Sequence, residues 1–430
     1  MTLRTPTTAP TTPRMPSVAP TASPLPAPSP LAAHWDLDPS IVFLNHGSFG
    51  ACPRAVLAAQ SRLRAEMERE PVAFFVERLF SLMDTMREAL GRFLHCPATD
   101  LAPVPNATTG VATVFDNLRL DPGDEILFTE HEYEACRNSA KRCAARWGAS
   151  VIVAPIPFPI ASPDAAFDAV LTQVTPRTRL AMISHVTSPT GLVLPVERLV
   201  PELERRGVRT LIDGAHAPGM VPTLDLSTLR PSYYTANCHK WVCSPKGSAF
   251  LYVRPDLQAG FRPLALSNNA ERPVPGRPQF LTEFDYVGTQ DVTPLLAIPD
   301  AIREVAALVP GGWPEVMRRN HDLCLVGRRL LCDAIGMEPP APESMIGSIA
   351  TMVLPPHPPE MRQRLAARPT RYHDALQDAL IARHRVQVPV WGLAGKPDRF
   401  LRISAQLYNS IDQYAHLATA LKAELAAERT

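Results

Sequence analysis

The chain has 430 residues, of which 46% are hydrophobic and 20% charged, with a formal net charge of +1. That length accommodates one large and one small domain, each with a real core. The near-neutral charge leaves no electrostatic footprint for nucleic acid, the apolar runs fall short of a membrane span, and eight cysteines without a CxxC pair argue against a zinc site or a secreted disulfide framework. A reduced, cytoplasmic setting without metal is the expectation.

Residues 1–33 are mostly Pro, Thr, Ala and Ser, with no acid and no aromatic ring. Such a segment buries too little apolar surface to offset its ordering entropy, so it reads as a disordered tail. It lacks the basic start and continuous apolar stretch of a secretory signal. Arg4 and Arg14 without acids would suit a transit peptide, but the proline density argues against the amphipathic helix that one needs. No internal repeat is visible.

The apolar run 41–44 enters the turn Asn45-His46-Gly47-Ser48-Phe49-Gly50. Residues 53–95 read as helix, with Pro53 in the first turn and apolar positions recurring at Leu79, Leu82, Met86 and Leu90. Strands at 125–128, 150–154, 180–184 and 208–213 then alternate with helices at 133–147, 165–174 and 196–206, the pattern of parallel βαβ units. Strands at 233–236 and 249–253 are joined closely through Pro245-Lys246-Gly247, which favours a local antiparallel pair. From about 295 the pattern changes to two long helical stretches, strands at 348–354, 386–390 and 400–404, a helix near 370–384 and a terminal helix from 411. The expected fold class is α/β. A large domain, 34–294 with an N-terminal segment 34–95, carries a mostly parallel sheet, and a small α+β domain spans 295–430.

Two strand ends carry the chemistry. The run 208–212 delivers Asp213 into Gly214-Ala215-His216-Ala217, and a second run delivers His239-Lys240-Trp241. An acid and a lysine so placed are what pyridoxal phosphate (PLP) needs: the lysine holds it as a Schiff base, and the acid keeps its pyridine nitrogen protonated. A solvated lysine and an Asp helix cap are the ordinary alternatives.

Six motifs support that reading in order: Leu44-Asn45-His46-Gly47-Ser48-Phe49-Gly50, Asn106-Ala107-Thr108-Thr109, Asp213-Gly214-Ala215-His216-Ala217, His239-Lys240-Trp241, Gly288-Thr289-Gln290-Asp291 and Arg402-Ile403-Ser404. Each is weak alone. Together they resemble the class-V aminotransferase superfamily of PLP enzymes of fold type I, and within it most the isopenicillin N epimerase-like and cysteine desulfhydrase-like group.

The resemblance implies roles residue by residue. Lys240 is the Schiff-base lysine and base, Asp213 the pyridinium partner, and His216 reaches the phenolic oxygen or its surroundings. An aromatic ring or His stacks on the cofactor, which selects Tyr133 over the neighbouring His131. Ala107, Thr108 and Thr109 open a helix whose N-terminus suits the phosphate dianion, helped by His239 and Asn237. Epimerase-like members often carry a hydroxyl where Asn237 stands, which leaves the role of its amide open. Ser188 contacts the cofactor oxygen. Thr289 reaches the phosphate of a partner subunit, which implies a homodimer with a shared active site. Arg402 clamps the substrate carboxylate through two parallel bonds, against the simpler reading of a structural salt bridge. Asn45, His46 and Gly47 line the substrate pocket.

The expected reaction is Cα–H abstraction from an α-amino acid, of epimerase type, with C–S lysis or amino transfer as alternatives. The cysteine desulfurase reading is disfavoured because no Cys follows Cys332 to serve as a mobile thiol. PLP-fold transcription regulators carry an N-terminal DNA-binding module, for which the 33-residue tail is too short.

Overall fold

The structure, a computed structural model, describes residues 24–393 and 398–429. Its strands are β1 (Val42–Phe43), β2 (Leu101–Val104), β3 (Glu125–Thr129), β4 (Ser150–Ala154), β5 (Thr178–Ser184), β6 (Arg209–Asp213), β7 (Tyr233–Asn237), β8 (Ala249–Val253), β9 (Ile349–Val353), β10 (Val386–Gln387), β11 (Val390–Gly392) and β12 (Arg399–Ser404).

Seven of them form one sheet in the order β2-β8-β7-β6-β5-β3-β4. The neighbours from β7 to β4 run parallel, as the alternation of strands and helices predicts. β7 and β8 form the expected antiparallel pair, with Tyr233 opposite Val253. β5 to β8 are buried almost throughout, as befits strands covered on both faces. β2 has no counterpart in the sequence reading. It contains Pro103, which lacks the N–H that a central strand needs, and it lies at the sheet edge where that loss is tolerated.

The smaller sheet, β11-β12-β9, is antiparallel and packs against the helix Gly312–Ile335, on which the helix Ile411–Glu428 lies in turn. β1 pairs in parallel with β10, with Val42 opposite Val386. Within the N-terminal segment 34–95, β1 thus pairs with a strand from the C-terminal part of the chain.

Two further expectations change. The single helix over 53–95 is interrupted: Arg54–Arg69 and Leu79–Leu94 are separated by Pro71–Ala73 and a wider turn at Phe74–Arg78. Pro71 pushes Glu70 out of helical backbone, to φ −152° and ψ 82°, and the Glu70 carboxylate accepts the Ala73 N–H at 2.6 Å. Residues 24–33, expected within the disordered tail, are packed. Leu25 and Leu31 touch the core, the Ser29 N–H donates to the Tyr408 carbonyl at 3.1 Å, and Ser410 Oγ donates to the Ala27 carbonyl at 2.6 Å. The remainder of that expected tail, 1–23, lies outside the described residues. Among the described residues no helix is long and apolar enough to cross a membrane, and no group of three side chains could hold a metal ion.

Candidate active site

Parallel strands expose their C-terminal ends together, and loops leaving neighbouring strands build a crevice there. Ser184 ends β5, Asp213 ends β6 and Asn237 ends β7, and all three line one cavity of about 450 Å³. The helix Ala107–Asn117 points its N-terminus into the same space.

Close backbone contacts explain the glycines of the motifs. Gly50 has φ +70°, and a Cβ there would lie 2.0 Å from the His239 carbonyl oxygen. The turn from Asn45 to Gly50 is thus pressed against the backbone carrying Lys240. A Cβ on Gly214 would lie 2.3 Å from the Tyr234 ring, so the loop after Asp213 closes on β7 only as glycine.

The cavity brings together Lys240, Asp213, His216, His239, Asn237 and Tyr133, and also Ala107, Thr108, Ser188, Gly47 and Arg402. Lys240 Nζ lies 3.1 Å from His216 Nε2, and the Trp241 indole N–H donates to His216 Nδ1 at 3.3 Å. Burial, then the Arg402 charge, pushes the Lys240 amine down to about 8. Burial, aided by the nearby cations, holds His216 well below its ordinary value.

Asp213 is 4% exposed. One of its oxygens accepts the Ala215 N–H at 3.0 Å, the other the Cys136 thiol at 3.3 Å. It forms no salt bridge among the described residues, and burial raises its pKa. Glu132, also buried, accepts from Thr129 Oγ1, the Ser184 N–H and Ser184 Oγ, and burial pushes it up to about 7.

Asn106 caps the Ala107–Asn117 helix by accepting the Thr109 N–H at 2.8 Å, and Asn237 Oδ1 accepts the Ala107 N–H at 2.9 Å. The Asn237 carbonyl is thereby spent, leaving its NH₂ for the cavity beside Thr108. His239 Nδ1 lies 3.2 Å from the Ser248 carbonyl and so carries a proton, while burial lowers the ring to about 4. Neutral His239 thus presents Nε2 as an acceptor; it donates into the cavity only when protonated, a state that a neighbouring dianion favours.

Arg402 is 4% exposed and has no carboxylate partner among the described residues. It donates to the Ser188 carbonyl at 2.6 Å and to Ser48 Oγ at 3.0 Å, while its Nε has no hydrogen-bond partner. Ser48 Oγ in turn donates to Asn45 Oδ1 at 2.6 Å.

Four expected site residues do not line the cavity. Asn45 stands one hydrogen bond behind Ser48. His46 is fully buried, with Nε2 2.9 Å from the Lys240 carbonyl and Nδ1 2.9 Å from the Tyr408 hydroxyl, so it anchors the lysine backbone. Thr109 is turned to the Asn106 cap, and Thr289 is exposed with its hydroxyl 2.9 Å from that of Tyr286. His131, the competitor of Tyr133, is buried 3.0 Å from Thr190 Oγ1, away from the cavity lining. The lining also contains Ser48, Phe49, Ser184 and Val186, which the sequence reading missed. Ser48 and Phe49 sit inside a recognised motif, so their position was available; Ser184 and Val186 carry no local signal.

A phosphorylated pyridine ring fits this distribution. The buried carboxylate has no salt bridge among the described residues, the helix end and Asn237 amide offer donors to an anion, and the lysine has a lowered pKa for imine formation. The fold and site define a PLP-dependent enzyme of α/β architecture, fold type I.

The chain belongs to the class-V aminotransferase family, whose profile matches residues 44–276. It is 35% identical over 400 residues to isopenicillin N epimerase of Amycolatopsis lactamdurans, covering 90% of this chain and 96% of that protein. It is 28% identical over 410 residues to a probable chloroplastic L-cysteine desulfhydrase of Arabidopsis thaliana, covering 89% of this chain and 83% of the other. Among solved structures, a cystine C–S lyase in complex with cysteine persulfide superposes with a TM-score of 0.72 at 22% identity, over 89% of this chain and 97% of that one.

Proposed function

We propose that the protein exchanges the Cα proton of an α-amino acid and returns it on the opposite face, as an amino-acid epimerase does. The observation that carries the substrate class is Arg402, a buried guanidinium without a carboxylate partner among the described residues, lining the same cavity as Lys240. Its free Nε and adjacent nitrogen offer a planar fork to a carboxylate.

When bound, PLP supplies an electron sink that makes the Cα–H bond acidic. Lys240 removes that proton, its amine brought towards neutrality by burial and by Arg402. Asp213 holds a proton at the ring nitrogen. Thr108 N–H and Oγ1 and the Asn237 amide bind the phosphate, joined by His239 once protonated, and Ser188 lies beside Arg402. Tyr133, which lines the cavity and is 50% exposed, packs on the ring and supplies a phenol for return of the proton. Thr289, exposed in the single chain, is assigned to the phosphate site of a partner subunit in a homodimer.

The epimerase reading is supported by the 35% and 33% identities to isopenicillin N epimerases, against 28% for the plant desulfhydrase. The second reading, β-elimination from a thio-amino acid, is favoured by the likeness to those desulfhydrases. A persulfide-forming desulfurase is disfavoured by the absence of a cysteine from the cavity lining among the described residues. The test is incubation with amino acids, cysteine included, in deuterated water. Deuterium at Cα with inverted product and no pyruvate supports epimerisation. Sulfide with pyruvate from cysteine overturns it in favour of the lyase.

A further inference from the structure

We propose that Trp241 is a positioning residue: its indole N–H fixes which nitrogen of His216 carries the proton, so that His216 faces Lys240 as a donor and holds the lysine as an uncharged nucleophile. An indole N–H can only donate. Because it lies 3.3 Å from His216 Nδ1, that nitrogen must offer a lone pair. His216 is buried, and burial together with the Arg402 charge keeps its ring neutral. Its single ring proton therefore sits on Nε2. That nitrogen is 3.1 Å from Lys240 Nζ, and a donor needs an acceptor there. An uncharged amine has a lone pair to accept with, whereas an ammonium group would set two donors against each other.

The arrangement is held on every side. Trp241 is 1% exposed, its ring lies 4.8 Å from that of His46, and a Cβ on Gly219 would come within 2.8 Å of its carbonyl oxygen. His46 meanwhile holds the Lys240 carbonyl through Nε2 and is itself held at Nδ1 by the Tyr408 hydroxyl. The charged groups facing the lysine are Arg402, which opposes its protonation, and Asp213, which favours it; the Cys136 thiol, a donor to Asp213, carries no charge. Trp241 acts with the first and against the second. When the cavity is filled, the same tautomer presents the His216 N–H to an acceptor on the ligand. The consequence for Lys240 rests on its assignment as the attacking amine; the His216 tautomer does not.

The test uses the full chain labelled with nitrogen-15 histidine and freed of cofactor by hydroxylamine. His216 is identified by comparison with His216→Gln. Its Nε2 should resonate as protonated and its Nδ1 as unprotonated. Replacing Trp241 with 3-benzothienylalanine keeps the bicyclic shape but exchanges N–H for sulfur. His216 should then populate both tautomers, and the pH midpoint for attachment of pyridoxal phosphate should move upward. Attachment at neutral pH should slow about tenfold, the effect of a one-unit change in the amine. Trp241→Phe should follow the same direction, and its melting temperature separates loosened packing from the electrostatic effect. A wild-type His216 protonated at Nδ1, or an unmoved midpoint in the benzothienyl variant, overturns the proposal. The expected tautomer in a chain whose Lys240 never takes up the cofactor would overturn the assignment of the lysine instead.

Discussion

Replacing Arg402 by Met separates a substrate clamp from a structural ion pair. Removing one member of a buried ion pair costs about 3–5 kcal/mol, because the partner charge is left uncompensated. Arg402 has no such partner among the described residues. It holds the Ser188 carbonyl at 2.6 Å and Ser48 Oγ at 3.0 Å, and burial lowers its pKa to about 10. Loss of those bonds costs about 1–3 kcal/mol in total, and relief of the unpaired buried charge offsets part of it. Arg402→Met should therefore change folding stability by no more than about 2 kcal/mol. Two charge-assisted bonds to a carboxylate, at about 1.5–3 kcal/mol each, predict a loss of substrate affinity of roughly 10²-fold or more. Arg402→Lys should recover only part of it, since an ammonium lacks the planar fork. Urea melts of the variants and calorimetric titration with the amino-acid substrate or a carboxylate analogue give the two quantities. A variant that unfolds while its remaining folded fraction binds normally would refute the clamp.

Gly50→Ala places a Cβ 2.0 Å from the His239 carbonyl oxygen in left-handed backbone. It should cost at least about 1–2 kcal/mol and impair cofactor attachment at Lys240, read by melting temperature and visible absorbance. Asp213→Asn preserves shape but not the charge that holds a ring proton. Cofactor attachment should persist while Cα–H exchange falls by about 10²–10³-fold, measured by deuterium incorporation. Glu132 is raised from 4.5 to about 7, so the folded chain binds more protons than the unfolded one between those values. Its contribution makes stability fall as pH rises through that window. Glu132→Gln should flatten that dependence in urea melts of the cofactor-free chain, and an unchanged slope would contradict the raised value.

β6 and β7 and the loops after them were legible in the sequence because each is an apolar run leading to a residue that chemistry requires, Asp213 at the end of β6 and Lys240 three residues past the end of β7. β2 was hidden because Pro103 contradicts strand character except at an edge, and edge position is a property of the whole sheet. Packing of residues 24–33 depends on Tyr408 and Ser410, nearly four hundred residues away, and no local pattern announces it. His46 was legible as a motif residue but not as an anchor of the Lys240 carbonyl, since that contact joins distant segments. The Cys136 thiol on Asp213 and the Trp241 indole on His216 were invisible for the same reason, although each contributing residue lies within five positions of a recognised one.

The most direct test of the account is to find which lysine holds the cofactor. Purified protein is reduced with borohydride, digested and mapped by mass spectrometry. A phosphopyridoxyl group on the peptide bearing Lys240 is the predicted result. The same group on Lys141, Lys246, Lys396 or Lys422, with Lys240 unmodified, would contradict it.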